Sequence, residues 1–145
     1  PLALFLFSCF TGARLSDTLR LTKDSVNDDT YIFTAKKTRK HQVIKLNKQA
    51  KLVFESCKYM LENKPTEQHI NRMLKDIIYL LGIKKKVTFH VSRHTFATNL
   101  LRAGARVQVL QKLLGHSSIK ETMIYVHIVE QEKNSEIMLM DNFFN

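Results

Sequence analysis

Apolar residues dominate the first ten positions of the chain and then give way abruptly to polar ones. Residues 2–10 are almost continuously hydrophobic, and Thr11 and Gly12 interrupt this run just before the polar residues 14–17. A glycine after an apolar run predicts the end of a buried helix, and the polar segment predicts the start of a second one. The run has about half of the roughly 20 residues that a membrane span needs, so we interpret it as a core helix.

Two short segments farther along the chain alternate apolar and polar residues, as a half-buried strand does. They are residues 30–35 and 42–46, and both contain β-branched or aromatic side chains. The connecting segment, residues 36–41, is basic. This pattern predicts a β-hairpin with a cationic tip.

After the hairpin the hydrophobic spacing becomes helical and indicates four further helices before residue 115. Gly82 and Gly115 would end the second and the fourth of them, and the third would start near Ser92. The apolar positions of these helices, in order, are Leu52, Cys57, Met60 and Leu61; Ile70, Met73, Leu74, Ile77 and Leu81; Phe96, Ala97, Leu100 and Leu101; and Val107, Leu110 and Leu114.

One more short helix is predicted near the end of the chain. Ser118 and Glu121 form a capping-box pattern in front of an apolar segment that contains Tyr125. Residues 129–145 follow as a tail with several apolar side chains, which either packs on its own core or docks on a neighbouring protomer. The expected fold is therefore mainly α with a small antiparallel β-sheet, an α+β arrangement.

The composition is that of one globular domain spanning residues 1–145, with 44% hydrophobic and 25% charged residues. It excludes disordered, collagen-like and low-complexity chains. Lys and Arg number 23 against 13 Asp and Glu, and the net charge of +10 indicates a polyanionic partner or an anionic surface. Cys9 and Cys57 form no CxxC pair, so we expect a reducing compartment. Because Pro1 lies inside an apolar segment, we expect that an N-terminal part of the parent protein is missing.

His90 and His94, at positions i and i+4, would lie on one helix face, as zinc ligands do. A zinc protease of this kind needs a Glu directly after the first His, but Val91 stands there, and Arg93 would repel a cation. Alternatively, His90 and Arg93 point together at an oxyanion, since Arg binds phosphate bidentately and His can move a proton near neutral pH. By itself this pair is equally compatible with a surface Arg beside a core His.

Four separated segments, and the spacing of His116 and Tyr125, add to the evidence from His90 and Arg93. The segments are TGARLSD at residues 11–17, KKTRK at residues 36–40, HVSRHTFAT at residues 90–98 and LLGHSS at residues 113–118, and Tyr125 lies nine residues beyond His116. In order and wording they resemble the tyrosine recombinases, the integrases of phages and transposons. The resemblance runs from about residue 4 to residue 128. Ala13, Ser92 and Lys45 depart from it, standing where the family often has Leu, Leu and Pro.

The resemblance implies a site-specific DNA recombinase with a catalytic-domain fold that breaks and rejoins DNA. Tyr125 would be the nucleophile that forms a 3′-phosphotyrosyl linkage, and His90 its base. Asp17, three residues after Arg14, would orient that guanidinium. The other implied catalytic residues are Arg14 and Arg93 as a clamp on the phosphate oxygens, Lys37 as the acid for the leaving 5′-oxygen, with Lys36 and Lys40 as competitors, and His116 as a hydrogen-bond donor to the phosphate.

Further basic residues are expected to contact DNA phosphates without reading sequence. They are Lys36, Arg39, Lys40, Lys84, Lys85 and Lys86, with Arg102 and Arg106. The implied partners are double-stranded DNA and other copies of the chain in a synaptic tetramer, with no membrane, in the cytoplasm of a bacterium and associated with the nucleoid. The resemblance favours docking of the tail on a neighbouring protomer.

Neither ATP nor a metal cofactor is expected, because the sequence has no Walker loop and no clustered carboxylates. The energy of the broken phosphodiester would be stored in the phosphotyrosyl ester. Two alternatives share the same scaffold. One is a catalytically inactive DNA-binding module, and the other is a relaxing enzyme similar to type IB topoisomerases.

Overall fold

The computed structural model describes residues 2–58, 61 and 63–142. They form two compact units, Pro1–Phe96 and Ala97–Asn145. The first unit contains helices α1 (Leu2–Thr11), α2 (Leu15–Thr18), α3 (Lys48–Cys57) and α4 (Glu67–Leu80), strands β1 (Val26–Asn27), β2 (Thr30–Thr34) and β3 (His41–Lys45), and the start of α5 (His90–Arg102). The second unit contains the rest of α5, α6 (Val107–Leu114), α7 (Lys120–Ile137) and a final 3-10 turn, Met138–Asn142. The predicted fold class, mainly α with a small antiparallel sheet, is confirmed.

The sheet is antiparallel in the order β1-β2-β3. The predicted hairpin is β2–β3, in which Tyr31 pairs with Ile44. Strand β2 ends one residue earlier than predicted, because the Ala35 N–H donates to the Lys40 carbonyl at 2.9 Å and thereby begins the turn. Strand β3 begins and ends one residue earlier than predicted, and the Leu46 N–H after it donates to the Asp29 carbonyl at 2.7 Å. Strand β1 was not predicted, since its two residues are too few to show an alternating pattern.

The core of the first unit is built around α1, which packs on α3. The ring of Phe7, which is fully buried, lies 5.3 Å from the ring of Tyr31 and 6.1 Å from that of Phe54. These contacts bring α1, β2 and α3 together. The segment that follows α1 is therefore held against a packed aromatic core.

A polar side chain caps the N-terminus of each of the helices α3 and α4. The side chain of Asn47 accepts a hydrogen bond from Ala50 N–H, and that of Thr66 accepts one from His69 N–H. Helix α3 ends at Cys57, so Leu61 lies beyond it, and Met60 falls outside the described residues. Helix α4 ends at Leu80, just before Gly82, as predicted.

Helix α5 begins at His90, two residues earlier than predicted, because Val91 and Ser92 already donate to the carbonyls of Thr88 and Phe89. Helix α6 ends as predicted at Gly115, whose φ of 64° is in the left-handed region.

The prediction of a short last helix is wrong, since α7 has 18 residues and continues to Ile137. Residues 120–137 contain no Gly or Pro, so nothing in the sequence stops the helix after Tyr125. Glu132 also fastens α7 to the end of α5, because the Arg102 guanidinium donates to both its carboxylate oxygens at 2.9 and 2.6 Å. That hydrogen bonding raises the pKa of Arg102 and lowers the pKa of Glu132.

Among the described helices, none has the length and apolar character of a membrane span.

Candidate active site

Three of the predicted site residues line one cavity in the first unit. Arg14, His90 and Arg93 surround a space of about 240 Å³, to which Asn71 of α4 also contributes. The cavity therefore joins the loop after α1 to the beginning of α5. Two guanidiniums and an imidazole around one open space suit an anionic ligand.

A short loop after α1 places Arg14 at the cavity. Gly12 adopts a φ of 69°, which favours glycine, and the chain turns there out of α1. Arg14 then has extended backbone angles at the start of α2. The guanidinium of Arg93, only 3% exposed, donates to the Gly12 carbonyl at 2.6 Å. This bond ties the loop that carries one arginine to the helix that carries the other.

A buried pair of serines makes a second tie between the same two segments. The hydroxyl of Ser92, on α5, lies 2.6 Å from that of Ser8, on α1, and 2.5 Å from the Phe89 carbonyl. Ser8 in turn donates to the Ala13 carbonyl at 2.6 Å. Both serines are fully buried. Ser92, a departure from the family pattern, is thus part of the structure that fixes the position of Arg14.

His90 is exposed at the N-terminus of α5, and its ring lies 4.7 Å from that of His94 in a perpendicular arrangement. Partial burial, followed by the charges of His94, Arg93, Arg14 and Lys37, lowers the pKa of His90 below its ordinary value. An imidazole with a lowered pKa is neutral at pH 7 and can accept a proton. The charge of Lys37 has the smallest of these effects on the pKa of His90, so the hairpin loop lies within electrostatic range of His90.

Asp17 has a different partner from the predicted one. Its buried carboxylate accepts a hydrogen bond from the Lys36 backbone N–H at 2.8 Å, and within the described part of the chain no hydrogen bond or ion pair joins it to Arg14. The expected contact fails because Arg14 is extended, so the two side chains do not share a helix face. Asp17 instead holds the base of the loop that carries Lys37.

His116 and Tyr125 belong to the second unit. His116 follows Gly115, and its Nδ1 lies 3.0 Å from the hydroxyl of Thr122 on α7. Tyr125 is one turn farther along α7 and is 2% exposed.

The predicted capping box is half formed. The Glu121 carboxylate accepts from the backbone N–H of Ser118 at 3.0 Å. The Ser118 hydroxyl accepts from the backbone N–H of Lys120 at 3.2 Å, where a complete capping box would use that of Glu121.

The residues expected to contact DNA phosphates are exposed, but one of them, Arg102, is held by other side chains. Lys36, Arg39, Lys40, Lys84, Lys85 and Lys86 lie on the surface. Arg106 lines a cavity of about 340 Å³ with Gln108 and Lys112. Arg102 is engaged by Glu132 and by Asn99, so it is not the open phosphate contact that we expected. No three His, Cys, Asp or Glu side chains in the described residues are grouped to hold a metal ion.

Comparison with known proteins identifies the family of the chain. The profile of the phage integrase family matches residues 2–132. Tyrosine recombinase XerD of Listeria monocytogenes serotype 4b is 34% identical over an alignment of 142 positions, and the match covers 83% of this chain and 47% of the relative. The chain therefore belongs to the phage integrase family, and it spans less than half the length of that relative.

Solved structures of the family share the fold. The XerH site-specific recombinase, in a post-cleavage complex with its palindromic difH substrate, has a TM-score of 0.74 at 20% identity, with 96% of this chain and 45% of that chain covered. The catalytic domain of bacteriophage HP1 integrase has a TM-score of 0.66 at 24% identity, with 93% of this chain and 79% of that chain covered. The fold is that of a tyrosine recombinase catalytic domain.

Proposed function

We propose that the chain is the catalytic part of a site-specific recombinase that cuts and rejoins double-stranded DNA, in the cytoplasm of a bacterium and associated with its nucleoid. The observation that carries this proposal is the cavity shared by Arg14, His90 and Arg93. A net charge of +10 supports a polyanionic substrate.

The proposed reaction is an exchange of esters at phosphorus. The Tyr125 oxygen bonds to phosphorus, its proton passes to His90, and the bond from phosphorus to the 5′-oxygen breaks. Lys37 gives that oxygen a proton, so charge and atoms balance without ATP or metal. Arg14, Arg93 and His116 would stabilise the added negative charge on the phosphate oxygens.

The direct test is to trap the covalent product. The protein is incubated with end-labelled DNA that carries a recombination site and a nick, so that the short cleaved strand diffuses away and the adduct accumulates. We expect a labelled band that proteinase removes. Binding without an adduct would instead identify an inactive DNA-binding module. Relaxation of supercoiled plasmid without exchange of flanking segments would identify a topoisomerase-like enzyme.

Lys37→Ala is expected to slow cleavage strongly on ordinary DNA and weakly on DNA whose leaving 5′-oxygen is replaced by sulfur. A thiolate leaves without a proton, so the substituted DNA does not need the acid. Cleavage rates of both substrates are measured for Lys37→Ala and for the matched variants Lys36→Ala and Lys40→Ala. If the sulfur substrate rescues one of these neighbours and not Lys37→Ala, the acid is that neighbour.

We propose further that the tail docks on a neighbouring protomer in a tetramer on two DNA duplexes. Ile137, Met138, Leu139 and Met140 are 56–64% exposed, an apolar group that a second copy could cover. Leu139→Glu combined with Met140→Glu should abolish the tetramer on DNA, measured by sedimentation, and keep binding of one protomer per half-site. Leu52→Glu, at an apolar position of α3 that is 62% exposed, is the control. Equal loss of the tetramer in the control would contradict the role of the tail.

A further inference from the structure

Thr122 is a fully buried polar residue one helical turn before Tyr125. Its hydroxyl lies 3.0 Å from Nδ1 of His116, six residues earlier in the chain. The left-handed turn at Gly115 and the start of α7 bring the two side chains together. None of the chemistry described above uses Thr122.

The direction of this hydrogen bond can be inferred from the other buried or partly buried threonines. The hydroxyls of Thr11, Thr18 and Thr95 each donate to a backbone carbonyl three or four residues earlier in the chain, at 2.8 to 2.9 Å. Within the described part of the chain, the Thr122 hydroxyl makes no such bond, and its hydrogen-bond partner is the His116 ring. A buried hydroxyl proton needs an acceptor, so Thr122 donates and Nδ1 accepts.

We propose that Thr122 is a positioning residue that holds His116 in the tautomer protonated at Nε2. An imidazole whose Nδ1 accepts a hydrogen bond carries its proton on Nε2 when neutral. In this form His116 can donate to a phosphate oxygen without first becoming a cation. The inference rests on the proposed function, in which His116 is such a donor.

Removing the Thr122 hydroxyl should therefore lower the rate of cleavage and not the affinity for DNA. Thr122→Val keeps the shape of the side chain and leaves Nδ1 without its donor. Neutral His116 then divides between two tautomers, and only one of them can donate from Nε2. We expect kcat to fall a few-fold, because part of neutral His116 then carries its proton on Nδ1, with KM for DNA unchanged. Thr122→Ser should restore most of kcat.

Two measurements test the inference. The ¹⁵N spectrum of the histidines, with His116 assigned from a His116→Asn variant, should show Nε2 protonated and Nδ1 unprotonated in the free protein and in Thr122→Ser, and a mixture in Thr122→Val. In His116→Asn, adding Thr122→Val should have no further effect on kcat. A protonated Nδ1 in the unaltered protein, or an unchanged kcat in Thr122→Val, would overturn the inference.

These outcomes are separable from failure of the proposed function. The tautomer is read from the spectrum with no need for activity, and thermal melting checks that Thr122→Val is folded. If the unaltered protein forms no phosphotyrosyl adduct but His116 is protonated at Nε2 in a Thr122-dependent manner, the proposed function fails and the positioning role stands. If the adduct forms and Thr122→Val behaves like the unaltered protein, only the positioning role fails.

Discussion

Tyr125→Phe is expected to abolish the covalent protein–DNA adduct and to leave DNA binding intact. The exchange removes a single oxygen, the atom that would bond to phosphorus, and phenylalanine retains the ring. The Tyr125 side chain is buried, and a Phe ring fills nearly the same space, so the fold should be preserved. Adduct on nicked, end-labelled DNA is measured on a denaturing gel, and binding is measured by mobility shift.

The chain offers a matched control for this exchange. Tyr79, on α4, is 84% exposed, and Tyr79→Phe should form adduct at the unaltered rate. A covalent band that persists in Tyr125→Phe would show that another side chain attacks the phosphorus. If Tyr125→Phe loses DNA binding as well as adduct formation, the exchange has damaged the fold. That result would contradict a purely chemical role for the Tyr125 hydroxyl.

Arg93→Ala is expected to lower the cleavage rate by about a hundredfold or more, the typical cost of removing one donor from a transition-state oxyanion site. The side chain is 3% exposed and lines the cavity with Arg14. In the proposed reaction its charge would stabilise the phosphate oxygens as they gain negative charge. Arg93→Lys should recover only part of the rate, since an ammonium lacks the planar fork that binds two oxygens at once. Single-turnover cleavage of saturating DNA measures the effect.

A structural effect of this exchange must be separated from the catalytic one. Arg93 also donates to the Gly12 carbonyl at 2.6 Å, so the alanine variant loses a tie to the loop that carries Arg14. Thermal melting reports on that loss. Arg102→Ala, at an exposed position of the same helix whose arginine pairs with Glu132, should leave the rate of cleavage unchanged. An Arg93→Ala rate within a few-fold of the unaltered rate would remove Arg93 from the clamp.

Most elements of the fold could be predicted from local patterns. The hairpin and the ends of α4 and α6 follow from alternation and from glycines, which act within a few residues. The length of α7 differs from the prediction because its apolar pattern fades after residue 129, whereas the helix continues for as long as no Gly or Pro stops it. Strand β1 is too short to leave a signal, and its pairing with β2 depends on the tertiary structure.

The candidate site was predicted unevenly. Motif order and spacing indicated Arg14, His90 and Arg93, and the structure places these three around one cavity. The partners that hold them were not predictable, because Asp17 and Lys36 are 19 residues apart and no periodicity connects them. The same is true of Ser8 and Ser92, separated by 84 positions. Such contacts exist only once the chain has folded.

Ser92 contacts Ser8, and Ser8 donates to the Ala13 carbonyl. These contacts limit which segments of this domain can be replaced by the corresponding segments of its relatives. Placing the leucine that the family often has at position 92 would introduce a branched side chain into a fully buried site and remove the hydroxyl that contacts Ser8. Positions 8 and 92 should therefore be replaced together in chimeric recombinases. If residues are replaced one at a time toward the family consensus, the variant in which position 92 alone is changed should be destabilised.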